Sequence, residues 1–162
     1  MDPGTDRVVE KIRTATGSQS SSREVMERAV AVLKQEVPHY TWVGIYLLEG
    51  DELVLGPFLG KPSPHARIPL GQGICGAAAT TKQTIVVDDV NADPRYLACS
   101  IETRSEIVVP IVQGSDVLGE IDVDSDRPAA FGARDRALLE AVAAFLAPYL
   151  ASGIVNPNIA TP

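Results

Sequence analysis

The chain has 162 residues, enough for one domain with a sizeable core. Its hydrophobic share of 45% is that of a globular protein, and its formal net charge of −7 argues against nucleic acid or an anionic membrane as a main partner, because both reward clustered Lys and Arg. No apolar run approaches the roughly 20 residues that span a bilayer, and the N-terminus lacks the apolar stretch of a secretory signal, so a cytoplasmic protein is expected.

Residues 1–4 read as a loose end. Asp6 to Thr14 predicts a short helix, with Val8, Val9 and Ile12 at helical spacing. Gly17 to Ser22 reads as a linker. Ser21 and Glu24 fit a capping box, in which the serine accepts from an early backbone N–H and the glutamate reaches back. Val25, Ala29 and Leu33 continue that helix on one apolar face until Pro38. Tyr40 to Leu48 and Glu52 to Phe58 predict a hairpin across Gly50-Asp51. Ala66 to Leu70 is a short strand, Ile74 to Thr81 a short helix, and Thr84 to Val87 a brief strand. Asp88 to Cys99 is a long loop with a helical turn near Arg95-Tyr96. Ser105 to Val112 and Val117 to Asp124 form a second hairpin. Ala133 to Leu150 is a closing helix with two apolar stripes, and Pro148 is placed to kink its last turn.

Hairpins with terminal helices predict an α+β fold: an antiparallel sheet with the N- and C-terminal helices on one face, and loops and short helices forming a pocket on the other. The expected division is an N-terminal extension (1–20), a main domain (21–151) and a C-terminal tail (152–162).

Chemistry concentrates in a few places. Asp122 and Asp124 are two apart on a predicted strand, so they share a face. Glu106 begins the neighbouring strand. If the hairpin closes at residues 113–116, Ile107 falls roughly opposite Asp122 and three carboxylates converge. Crowded carboxylates raise at least one pKa and supply a protonated acid near neutral pH; the same residues would also suit a strand end in water. There are two cysteines, Cys75 and Cys99, 24 positions apart. They are either buried hydrophobes or a working redox pair. Cys75 follows a Gly-x-Gly turn near a helix start, where backbone N–H groups lower a thiol pKa. Arg95 and Arg104 flank Cys99 and would favour its thiolate. Trp42, the only tryptophan, and Tyr46 share a strand face, as core or as an aromatic wall. Gly71-Gln72-Gly73 is no phosphate cradle, since no Lys-Ser/Thr follows. His39 and His65 lack metal-ligand spacing with the cysteines, so no metal is expected.

Taken together these segments resemble the free methionine-(R)-sulfoxide reductase family, a stand-alone branch of the GAF fold. The resemblance covers about residues 20–150. It rests on Trp42-Val43-Gly44-Ile45-Tyr46-Leu47-Leu48, on Leu53-Val54-Leu55-Gly56-Pro57-Phe58-Leu59-Gly60-Lys61, and on Arg67-Ile68-Pro69 with Gly71-Gln72-Gly73-Ile74-Cys75-Gly76. Ala98-Cys99, Ser105-Glu106-Ile107-Val108-Val109-Pro110 and Asp122-Val123-Asp124-Ser125 complete it.

The resemblance implies that Cys99 is the nucleophile and Cys75 a second redox cysteine. It implies that Glu106, Asp122 and Asp124 hold the substrate and assist protonation of the sulfoxide oxygen, and that Trp42 and Tyr46 wall in the methyl-sulfinyl group. It further implies free methionine sulfoxide as substrate, a thioredoxin-like dithiol as reductant, a homodimer, and no cofactor. One departure stands out. Many members carry a third cysteine near the place where this chain has His65, ten positions before Cys75; resolution then falls to Cys75 or to an external thiol. A small-molecule-binding GAF module and a thiol redox sensor are the competing expectations.

Overall fold

The structure is a computed structural model and describes residues 2–17, 20–98 and 100–153. Helix α1 (Pro3–Ala15) starts earlier than its periodicity suggests. Asp2 caps it by accepting from the Gly4 N–H, and Pro3 occupies the first turn, where a missing N–H costs nothing. Of the expected loose end, Asp2 is therefore the helix cap and Pro3 and Gly4 belong to the helix. Helix α2 (Ser22–Glu36) is held by the predicted capping box, with Ser21 Oγ accepting from Glu24 N–H and Glu24 accepting from Ser21 N–H. Strands β1 (Trp42–Glu49) and β2 (Glu52–Leu59) form the first hairpin. Tyr40 lies before β1 rather than in it, fully buried, and donates its hydroxyl to Asp135 Oδ1 at 2.9 Å.

Strand β3 (Arg67–Pro69), helix α3 (Gly73–Thr81), strand β4 (Ile85–Val87) and a 3-10 turn, Val90–Ala92, follow. A separate single turn closes where one was expected near Arg95-Tyr96, with Tyr96 N–H donating to Asp93 O at 3.2 Å. Strands β5 (Ser105–Gln113) and β6 (Asp116–Ser125) make the second hairpin, and helix α4 (Ala133–Gly153) closes the fold. It runs through Pro148 and includes Ser152 and Gly153, the first residues of the expected tail; the rest of that tail lies outside the described residues.

The six strands lie in the order β3-β2-β1-β6-β5-β4, all neighbours antiparallel. Alternation divides the sheet's residues cleanly. Val43, Ile45, Ile107, Val109, Ile111, Ile121 and Val123 face α1, α2 and α4 and are buried with Val25, Leu33, Leu139 and Leu146. The apolar stripes of α4 are consumed there, against β5, β6, α1 and α2. The intervening residues, among them Trp42, Tyr46, Glu106, Val108, Glu120, Asp122 and Asp124, occupy the opposite face, which α3 and the long loops cover.

The β5–β6 register differs from the expected one by one position, and the difference decides the site. Near the turn, Val112 pairs with Val117 as expected; beyond it Ile111 pairs with Gly119, so Leu118 is an extra residue in β6. This bulge shifts the ladder so that Glu106 lies opposite Asp124 and Val108 opposite Asp122. Without it, Glu106 would share its face with Val123, and its carboxyl would point into the apolar core.

Candidate active site

Cys75 is the third residue of α3, which brings it over the middle of the polar sheet face. Its Sγ lies 3.4 Å from Asp122 Oδ2 and donates to it. Glu106 lies opposite Asp124 and close enough to both aspartates to act on their titration. Burial and crowding favour the protonated form of such carboxyls, so the centre of the sheet is a place where protons are held. All three acids are buried, Glu106 at 4% exposure and both aspartates at 2%.

Glu120 completes the row. It sits two residues before Asp122 on β6, opposite Pro110 of β5 and Tyr46 of β1, and is fully buried. Its carboxyl lies close enough to Cys75 for each to perturb the other. Neither of its oxygens has a hydrogen-bond partner of good geometry, because the thiol is aligned on Asp122 instead. Asp122 Oδ1 and Asp124 Oδ1 are likewise unpartnered. Glu120 was not among the expected site residues, although the period-two run Glu120, Asp122, Asp124 is visible in the sequence.

Burial is the largest influence on every resolved titration here. It pushes Glu120 and Asp124 well above the ordinary carboxylate range, and the charge of Asp122 pushes both further. Asp122 is raised too, by burial against the opposing hydrogen bonds from Glu106 and Cys75. The Cys75 thiol is pushed well above its ordinary value by burial, then by Asp122, Glu120 and Glu106. The helix start was expected to lower it. Three nearby carboxyl groups and the loss of water outweigh the partial charge of a helix whose first residue is Gly73. Cys75 is therefore held as a thiol.

Cys99, the expected nucleophile, lies outside the described residues. Its expected neighbour Arg95 is committed to Asp93, through Nη2 to Oδ2 at 2.7 Å and Nε to Oδ1 at 3.0 Å. Ala98, the residue before Cys99, has its carbonyl 3.0 Å from His65 Nε2. A carbonyl can only accept, so Nε2 carries the hydrogen. His65 lies on the same narrow cleft as Cys75, Glu106, Asp122 and Tyr46.

The two aromatics stand where the sequence places them, at either end of the acid row. Trp42 pairs across the sheet with Asp124, and Tyr46 with Glu120. Both also tie down the loop between β2 and β3. Trp42 Nε1 donates to Lys61 O at 2.9 Å, and Tyr46 OH donates to His65 O at 2.8 Å. Gly44 lies between them on the same face because the Trp42 ring lies over it: a Cβ there would meet ring carbons at 2.3 and 2.6 Å. The ring stacks on Phe58 with centroids 5.7 Å apart. Trp42 and Asp124, with Thr41, Thr103, Ser100 and Pro62, line an open cavity of about 130 Å³. The cleft at Cys75 has room for only about 10 Å³, close to the least that holds one water or one ion. Among the described residues, Cys75, Glu106 and Asp122 present donor atoms within 4.8 Å of one another, the one grouping there that could hold a metal ion.

No helix among the described residues is long and apolar enough to cross a membrane. The GAF domain family model matches residues 6–150, a span that includes most of α1. The free methionine-R-sulfoxide reductase of Escherichia coli (strain K12) is 36% identical over 134 residues, which is 83% of this chain and 81% of that protein. The structure of free methionine-R-sulfoxide reductase from Neisseria meningitidis, solved in complex with its substrate, is similar at a TM-score of 0.88 and 34% identity, over 96% of this chain and 95% of that one. The type II free methionine-R-sulfoxide reductase from Thermoplasma acidophilum matches at a TM-score of 0.79 and 41% identity, over 81% of this chain and 93% of that one. This chain belongs to the GAF-domain family of free methionine-R-sulfoxide reductases.

Proposed function

We propose that this chain reduces free L-methionine-(R)-sulfoxide to methionine by thiol chemistry, with Cys99 as nucleophile and Cys75 as the resolving thiol. The observation that carries the reading is the contact of Cys75 Sγ with Asp122 Oδ2 at 3.4 Å, beside the Glu106–Asp124 pair. It puts a redox-capable sulfur and a store of protons in one dry place.

A sulfoxide sulfur becomes electrophilic when its oxygen is protonated. The Cys99 thiolate forms a bond to that sulfur while an acid of the Glu106, Asp122 and Asp124 group gives the oxygen a proton. The hydroxyl then passes from the methionine sulfur to the Cys99 sulfur as the S–S bond and the original S–O bond break, so methionine leaves reduced by two electrons and Cys99 is left as a sulfenic acid. The Cys75 thiol then displaces that oxygen as water, and a disulfide forms. An external dithiol of the thioredoxin type restores both thiols by exchange.

In this reading Trp42 and Tyr46 hold the methyl-sulfinyl end, and the acids also hold the free amino group. A peptide-bound methionine has no such group, which gives a physical ground for preferring the free amino acid. Replacement of the family's third cysteine by His65 leaves Cys75 as the one internal thiol that can resolve Cys99. The chemistry needs no cofactor. We further infer a cytoplasmic homodimer. The resemblance alone supports the dimer, since the apolar stripes of α4 are packed within the fold. The division into an extension (1–20), a GAF domain (21–151) and a tail (152–162) also stands as a proposal.

The test is steady-state consumption of free L-methionine-(R)-sulfoxide with a dithiol reductant, beside Cys99→Ser. Turnover in the parent that is abolished in the variant supports the reductase. A protein that binds methionine sulfoxide without turnover is a binding module. One that forms its disulfide with peroxide yet consumes no sulfoxide is a redox sensor.

A further inference from the structure

The acid row has more buried oxygens than hydrogen bonds to occupy them. Both oxygens of Glu120, one of Asp122 and one of Asp124 have no partner, and all three residues are at most 2% exposed. A buried carboxyl in that condition needs either a proton or a cation. The donors that converge on the cleft are a sulfur and carboxylate oxygens: Cys75 Sγ, Glu106 and Asp122, mutually within 4.8 Å. The cleft they line holds about 10 Å³, close to the least that takes one small ion.

We propose that the reduced pocket binds one soft divalent cation of the zinc class, with Cys75 Sγ, Asp122 and Glu106 as ligands. Zinc takes sulfur at about 2.3 Å and carboxylate oxygen at about 2.0–2.2 Å in a tetrahedron. Donors bound at those lengths lie closer together than the present outer limit of 4.8 Å, so the most distant pair must draw in by about 1 Å on binding. The mixed set also selects the metal. A thiolate favours zinc, cadmium or cobalt over magnesium or calcium, which prefer oxygen alone. Binding replaces the thiol proton: the metal–sulfur bond forms as the S–H bond breaks, and the proton leaves to solvent. No electron is transferred. The cation holds Cys75 as a thiolate bound to metal and occupies acids assigned to the substrate. It therefore acts as a reversible inhibitor and as a shield of Cys75 against oxidation. The binding stands apart from the reductase reading; only the inhibition rests on it.

The test uses the intact chain, fully reduced and free of oxygen, carrying Cys99→Ser so that Cys75 is its one thiol. Cobalt(II) is added and the near-ultraviolet spectrum recorded. The expected result is a thiolate-to-cobalt charge-transfer band that saturates at one cobalt per chain and is displaced by zinc. Cys75→Ser in otherwise native protein should abolish the band. Glu106→Gln and Asp122→Asn should each weaken cobalt binding at least about tenfold, the scale of loss that even outer-shell partners cause. Circular dichroism confirms that each variant is folded. Absence of the band, or equal cobalt binding in Cys75→Ser, would overturn the site. Zinc is then added to wild-type turnover: inhibition reversed by a chelator completes the proposal, and unchanged turnover at saturating zinc would overturn the inhibitory role. A cobalt band in a protein that never turns over methionine sulfoxide would support the metal site and refute the reductase reading.

Discussion

Glu106 and Asp124 stand directly opposite each other in the β5–β6 ladder, both buried and both on the polar face of the sheet. They do so because Leu118 is an extra residue in β6. In the proposed mechanism a proton held by this pair is the one given to the sulfoxide oxygen. Glu106→Gln keeps the shape and removes the exchangeable proton. It should lower kcat for free methionine-(R)-sulfoxide by about 10²-fold or more, the usual contribution of a placed general acid, with thermal stability little changed. Steady-state kinetics decide the matter; a loss of only a few-fold would remove Glu106 from the proton-donating role.

The Trp42 ring lies across Gly44, with no space for a methyl group. Gly44→Ala should push the ring off its stack on Phe58 and into the cavity beside Asp124. Overpacking of this kind costs about 1–3 kcal/mol. The expected signature is a raised KM, with kcat falling less, and a shift of tryptophan fluorescence. A variant with native fluorescence and native KM would show that the ring does not line the substrate site.

Glu120 gives the site a measurable stability cost. Unfolded, it ionises near its ordinary value of 4.5; folded, its pKa lies well above that. The folded state therefore binds more protons than the unfolded one above pH 4.5, and stability falls as pH rises from there towards the folded pKa. Asp122 and Asp124 act with the same sign. Glu120→Leu should raise stability by about 1–3 kcal/mol at neutral pH, the range for a buried polar group without a partner. It should also flatten the decline in melting temperature between pH 5 and 8, measured with a chelator present. Equal melting temperatures for parent and variant across that range would mean that Glu120 is solvated.

Tyr46 joins the aromatic wall to the loop carrying His65, and His65 to Ala98, through contacts of 2.8 and 3.0 Å. Tyr46→Phe removes the first of these and leaves the His65 carbonyl without its donor. The expected cost is about 1–3 kcal/mol in stability, together with faster amide exchange in residues 61–66. Unchanged exchange there would show that the loop is held by other contacts.

Much of this was legible beforehand because its signals are local. The Ser21–Glu24 capping box, the alternation in the second hairpin and the face shared by Asp122 and Asp124 all follow from spacing within one element. The hidden parts depend on contacts across elements. Nothing in the run from Asp116 to Ser125 marks Leu118 as the bulged residue, yet that one residue decides which face Glu106 occupies. The thiol of Cys75 was expected to feel the start of its helix. It feels the strands below instead, because α3 lies flat on a row of acids. Two further signals are local. Asp2 before Pro3 is a helix-start signal, and Glu120 continues the period-two acids inward.

The most direct test of the account is a single turnover without reductant, in which released methionine and the Cys75–Cys99 disulfide are both quantified. Wild-type protein should release one methionine per chain and form the disulfide. Cys75→Ser should still release one methionine but form no intramolecular disulfide and fail to cycle on a dithiol. Cys99→Ser should release none. Methionine released by Cys99→Ser, or normal cycling by Cys75→Ser, would contradict the roles assigned to the two cysteines.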